Sequence, residues 1–174
     1  MKTKDLVLIP LLAATLTVGK TALAFLPNVE IVTLLLALYG YLFKWRGVAA
    51  AYIFVIVEMF IWGVAPWVIS YFLYWPLVAA VFWVLGKAGV KNRFVLSGTA
   101  VVLTIFFGVL TSFVDIGLFS LNFDKFFYRF SVYYLRGISF YLTQIICNAV
   151  LFVLTFPVLS KFLRKVSKKT NLNL

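Results

Sequence analysis

The sequence predicts an all-α integral membrane protein, a bundle of six transmembrane helices with both termini in the cytoplasm. Three observations predict it. The chain of 174 residues is 64% hydrophobic and only 12% charged, with a mean hydropathy of +1.08, whereas soluble domains are about half apolar and about a quarter charged. Its apolar residues gather into runs that approach the roughly 20 residues a helix needs to cross a bilayer. Its basic residues fall between those runs on alternate sides. With the bilayer as solvent, a net charge of +11 reports topology rather than an affinity for nucleic acid.

The first run, 6–25, follows Lys2 and Lys4 and imitates a secretory signal ending at Ala22-Leu23-Ala24. Lys20 is ill placed beside a cleavage site and the remaining chain is itself membrane-bound, so the run is expected to be retained as the first span. The second run, 28–43, opens after Pro27 and stops before Lys44-Trp45-Arg46. The third and fourth occupy 48–62 and 68–85, the fifth 94–114, and the last 137–159, ahead of a basic tail. The tract 115–136 mixes Asn122, Asp124, Lys125 and Arg129 with many aromatics. That composition suits an interfacial helix or a folded-in lid on the outer side. No repeat or linker divides the chain, so residues 1–174 are expected to form one membrane domain.

The charges support six spans. The segments then facing the cytoplasm carry Lys2, Lys4, Lys44, Arg46, Lys87, Lys91, Arg93, Lys161, Arg164, Lys165, Lys168 and Lys169, which is 12 of the 16 basic residues. The outer segments hold Lys125, Arg129 and Arg136, while Lys20 lies within the first span. This asymmetry obeys the positive-inside rule. Five spans would put one basic end outside.

Several chemistries are disfavoured. Histidine is absent, Cys147 is the single cysteine, and the five acidic residues are scattered rather than clustered at ligand spacing. No metal site, cofactor or catalytic centre is therefore expected. Gly19-Lys20-Thr21 imitates the end of a phosphate-binding loop, but Ala14 stands where that pattern needs glycine, and no soluble strand precedes it. With no ATP site of its own, a chain that moved a solute uphill would need an energised partner or an ion.

Candidate ligand contacts gather toward the outer side. Asn28 suits a helix cap, a ligand contact or both, and Glu30 suits the first turn of the second helix. Lys20 and Glu58 lie at comparable heights within spans one and three. They either form an ion pair or line a water-filled cavity open to the outside, and the second reading is adopted here. Gln144 and Asn148, spaced i, i+4, share one helix face and serve either as interhelical glue or as a pocket floor. Trp62, Trp67, Tyr71, Tyr74 and Trp75 surround the third outer connection, most of them as an interfacial aromatic belt would, while Trp67 in the loop itself offers a stacking platform for a flat ring. Asp115, Tyr133 and Arg136 complete the set from the lid tract. On the first span, Ala13, Ala14 and Thr17 form a small-residue stripe suited to close helix packing, within the chain or against a partner.

The stretch Ala24-Phe25-Leu26-Pro27-Asn28-Val29-Glu30-Ile31-Val32-Thr33 resembles the segment entering the second helix of the substrate-binding, or S, components of energy-coupling factor vitamin transporters. Gly63-Val64-Ala65-Pro66-Trp67 is similar to a Gly-Pro-Trp segment of those relatives, and the chain length and six spans agree as well. The resemblance implies a vitamin pocket near the outer face of a prokaryotic plasma-membrane protein, closed by the first, third and fifth loops. It also implies docking on a transmembrane scaffold subunit driven by two cytoplasmic ATPases, with the bundle toppling to carry its ligand across. The Ala-x-x-x-Ala motif that meets the scaffold in the family is here Ala13-x-x-x-Thr17. The vitamin stays open among cobalamin, pantothenate, folate, a pyrimidine or another precursor. A self-sufficient permease and an integral-membrane lipid-modifying enzyme are the alternatives. The enzyme would need clustered acids, a metal site or a histidine, none of which the sequence offers.

Overall fold

Eight helices account for nearly all of the described chain in the computed structural model, which describes residues 3–26, 28–119 and 125–169. They are α1 (Thr3–Ala22), α2 (Val32–Phe43), α3 (Trp45–Trp62), α4 (Trp67–Lys87), α5 (Arg93–Phe119), α6 (Phe126–Arg136), α7 (Ile138–Leu154) and α8 (Phe156–Lys169). By length and composition α1, α3, α4 and α5 can each cross a membrane, and α6 with α7 makes a fifth crossing if that pair, bent by 56°, counts as one span. The chain is a helical, multi-pass membrane protein. Large apolar side chains such as Val7, Leu11, Ile56, Phe60, Val84, Val102 and Phe106 are exposed around the bundle, as a surface solvated by lipid allows.

At the centre stands α2, in which every residue but Leu35 is buried. An all-round apolar helix belongs inside a protein, and glycines let its neighbours close on it. A Cβ on Gly40 would stand 1.9 Å from the Ala79 carbonyl oxygen of α4, and one on Gly86 of α4 would stand 2.5 Å from the Tyr41 carbonyl oxygen of α2. Gly47 of α3 approaches the Tyr39 backbone equally closely. Small residues bring helices into backbone contact where no hydrophobic effect drives them together. Phe54, Tyr74, Val78, Phe82, Ala100 and Phe152 complete the core around α2.

The ends of the bundle differ in charge. Arg46 Nε donates to Asp5 Oδ1 at 2.6 Å, tying the start of α1 to the start of α3. At the same end the Tyr41 hydroxyl donates to the Val90 carbonyl at 2.8 Å, fastening α2 to the α4–α5 connection. This basic end holds Lys4, Lys44, Arg46, Lys87, Lys91, Arg93 and the cations of α8. The opposite end holds Lys20 on α1 and Arg129 and Arg136 on α6.

Several boundaries depart from the sequence reading. The second helix begins at Val32 rather than 28, and with 12 residues it extends only about 18 Å, short of the roughly 30 Å apolar core of a bilayer. The predicted last span, 137–159, breaks at Thr155, whose hydroxyl turns back to the Leu151 carbonyl, and what was read as a basic tail continues as α8. The lid tract is shared: α5 runs on to Phe119 and α6 supplies 126–136. Pro27, Asn122 and Asp124 lie outside the described residues.

The close approach of α2 and α4 yields a paired expectation. Gly40→Ala should destabilise the detergent-solubilised protein by about 1–3 kcal/mol or more, through overpacking against backbone that cannot yield. Gly98→Ala, whose new methyl meets nothing within 4 Å, should leave the melting midpoint in place. Equal midpoints for the two variants would show that these helices are not in backbone contact.

Candidate ligand-binding site

Two carboxylates within the apolar body organise the half of the bundle away from the basic end. Glu58 of α3 is wholly buried and pairs with Lys20 of α1, whose side chain is 30% exposed. The Lys20 ammonium also lies 5.2 Å from the Tyr71 ring centroid, 5.8 Å from that of Trp62 and 6.0 Å from that of Trp67. Three aromatic faces and one carboxylate thus surround a single cation, an arrangement that holds it both by charge and by ring quadrupole. This corrects the expectation of two groups lining an open, wet cavity: Glu58 is sealed, because an unpaired charge at that depth is far costlier than a paired one.

The second carboxylate, Glu30, caps α2. It accepts the Thr33 N–H at 2.9 Å on Oε2 and the Thr33 hydroxyl on Oε1. Asn148 Nδ2 of α7 donates to the same Oε1 at 2.9 Å and to the Thr104 hydroxyl of α5 at 3.0 Å. The Thr104 hydroxyl in turn donates a hydrogen bond to the Ala100 carbonyl, and the Cys147 thiol faces the Glu30 carbonyl at 3.8 Å. One carboxylate therefore joins α2, α5 and α7. Asn28, given as a possible cap, instead takes a left-handed backbone conformation (φ 65°) and leaves the capping to Glu30.

An aromatic block separates the two centres. Tyr71 stacks edge-on with Trp67 at 4.9 Å and with Trp75 at 5.4 Å, and Tyr74 and Trp75 pack on Phe107 of α5. Tyr71 lies within electrostatic reach of both Glu58 and Glu30, and the Tyr74 hydroxyl adjoins Thr33 and Thr104. In and beside this block, five buried polar atoms find no partner among the described residues: Glu58 Oε1, Ser70 Oγ, Trp75 Nε1, Gln144 Oε1 and Asn148 Oδ1. A sixth, Trp83 Nε1, sits apart toward the basic end.

The remaining candidates divide. Asp115 and Tyr133 are joined by a hydroxyl-to-carboxylate hydrogen bond of 2.6 Å and, with Arg136, line a groove of about 350 Å³ between α5 and α6. The α1 stripe is split: Ala13 is buried in the core, Ala14 is exposed and Thr17 is half-buried. Among the described residues, no three or more His, Cys, Asp or Glu side chains come together as a metal group would require.

Sequence reasoning missed Thr33, Ser70 and Thr104, and left Tyr74 and Trp75 among the interfacial aromatics. The hydroxyl residues look ordinary in membrane helices, where a backbone carbonyl one turn back satisfies them. The one available signal was Thr33 standing three residues after Glu30, the spacing at which a carboxylate reaches a helix-start N–H. No protein-family model, no curated protein and no solved structure matches the chain.

The Lys20–Glu58 pair should respond asymmetrically to mutation. Lys20→Met strands a buried carboxylate and should cost about 3 kcal/mol of stability. Glu58→Gln leaves a cation that water can reach and should cost clearly less, and the double variant should recover toward the Glu58→Gln value. Thermal unfolding in detergent reads all three, and a Lys20→Met protein as stable as the parent would show the pair is not formed.

Proposed function

We propose that the chain is the substrate-binding subunit of an energy-coupling factor importer, resident in a prokaryotic plasma membrane with six passes and both termini inside. It captures a vitamin or vitamin precursor at the outer face without catalysis. It then delivers that ligand by docking on a transmembrane scaffold subunit worked by two cytoplasmic ATPases. In this reading α2, together with the non-helical stretch before it, makes the second pass, and the basic end faces the cytoplasm.

One observation carries the reading. Five buried polar side-chain atoms on α3, α4 and α7, one of them the second oxygen of Glu58, have no partner among the described residues. Each unmade bond costs about 1–3 kcal/mol, and interiors built only for stability satisfy such groups. A small polar ligand with a flat ring would supply the missing partners while stacking on Trp67, Tyr71 and Trp75. Lys20 and Glu58 would open to admit it, with Trp62 at the rim. Asn28 and Glu30 would border it from the turn before α2, and Gln144 and Asn148 would meet it from α7. The α6 groove with Asp115, Tyr133 and Arg136 would act as the lid. On α1, Ala14 offers the scaffold an exposed small residue, flanked by Thr17.

The purified subunit alone should bind one member of a vitamin panel in calorimetry, with a matching mass shift in native mass spectrometry, and should hydrolyse no ATP. Gln144→Leu should preserve the fold, because the Gln144 Oε1 has no protein partner to lose, yet weaken binding about tenfold, the equivalent of 1.4 kcal/mol. A folded protein that binds nothing in the panel would defeat the proposal. Uptake by cells lacking the coupling subunits would point instead to a self-sufficient permease.

A further inference from the structure

We infer that the basic end of the bundle carries a binding site for the phosphate headgroup of an anionic phospholipid. A cavity of about 240 Å³ opens there, lined by Tyr41 of α2, Lys91 and Leu96 at the start of α5, and Phe156, Pro157, Ser160, Lys161 and Arg164 of α8. Three cations from two separate segments thus converge on one small space. The described carboxylates are engaged elsewhere: Asp5 with Arg46, Glu58 with Lys20, Glu30 with Thr33 and Asn148, and Asp115 with Tyr133. Among the described residues, no acidic side chain lines the cavity.

The walls are held in place. The Tyr41 hydroxyl is bound to the Val90 carbonyl, and the Arg164 guanidinium lies over the Tyr41 ring at 5.6 Å from its centroid. The Ser160 hydroxyl is tied to the Pro157 carbonyl at 3.0 Å. Arg164, exposed at the rim and resting on the Tyr41 ring, can turn its N–H donors toward a phosphate in the cavity.

The rest of α8 identifies the source of that phosphate. At helical spacing its residues fall on three faces. Phe156, Leu159 and Leu163 pack against the bundle core. Lys161, Arg164, Lys165 and Lys168 are exposed on a second face. On the side of α8 away from the cavity, Val158, Phe162 and Val166 form an exposed apolar strip at 65, 60 and 38%, the surface that a helix at the bilayer margin gives to lipid. The cavity's own wall sets the three cations beside apolar Leu96, Phe156 and Pro157. A free anion would use the cations alone, whereas a phospholipid uses both parts of that wall, its headgroup on the cations and the start of its acyl chains along the apolar side, as basic pockets between membrane helices do.

The test uses the whole chain in phosphatidylcholine nanodiscs titrated with phosphatidylglycerol, with bound lipid counted by native mass spectrometry after release. Phosphatidylglycerol should be retained over phosphatidylcholine. Lys161→Gln with Arg164→Gln should weaken its retention about 25-fold, taking about fivefold for each cation near a charged surface. Lys165→Gln with Lys168→Gln, which removes as much charge from the same helix outside the cavity, should weaken it far less. Lys91→Gln, on an exposed connection, gives a second reading if the α8 variant folds poorly. Equal losses for the two double variants would reduce the effect to general surface attraction and overturn the site. Full competition by soluble glycerophosphate, or retention of an acidic polypeptide in place of lipid, would overturn the choice of a lipid.

Discussion

A helix too short to span a bilayer must find partners for its first N–H groups inside the protein. That constraint governs this fold. α2 begins at Val32, after a half-buried stretch, 28–31, that adds no helical turn of its own. Unsatisfied backbone groups at membrane depth cost several kcal/mol each, and the Glu30 carboxylate answers by accepting the Thr33 N–H. Its negative charge also lies at the positive end of the helix dipole. The same carboxylate recruits Asn148, and through it Thr104, so the cap of one helix becomes the polar bolt between three. Backbone contacts at Gly40, Gly47 and Gly86 then fix α2 along its length.

A wholly buried Glu58 beside a half-buried Glu30 at one end of an apolar bundle is hard to justify as a stabilising element. Replacing buried ion pairs by apolar residues of similar volume is often neutral or favourable. Glu30 has a clear structural duty. Glu58 does not: its one ion-pair partner, Lys20, is also held by three rings, and its second oxygen has no partner among the described residues. An arrangement that costs stability without a packing reason points toward recognition, and it does so at the end of the bundle where the sequence resemblance expects ligand capture.

The membrane class, the helical fold and the charge difference between the ends were readable because hydropathy and Lys/Arg placement report them directly. The inward side of each helix was not. In lipid both the core-facing and the lipid-facing sides are apolar, so periodicity cannot separate buried Ala13 from exposed Ala14. The break at Thr155 was equally silent, since α7 and α8 are apolar across the junction and only the later lysines reveal the second helix. Lys20 and Glu58 were recognised as neighbours in height. Their pairing sits beside three aromatic rings, Trp62 of α3 and Trp67 and Tyr71 of α4, a gathering that spacing along the chain does not encode. The orphaned Ser70 and Trp75 atoms are a property of packing alone.

The single residue between α2 and α3 has a mechanical corollary. Lys44, with φ 60°, reverses the chain with no slack, its N–H still bonded to the Gly40 carbonyl at 3.0 Å and its own carbonyl to the Gly47 N–H at 3.0 Å. The two helices are consequently clamped where they meet, like the blades of shears at the rivet. Whatever parts the interior has to spread them at the far tips, beside Glu30 and Trp62, and the leverage grows with distance from Lys44.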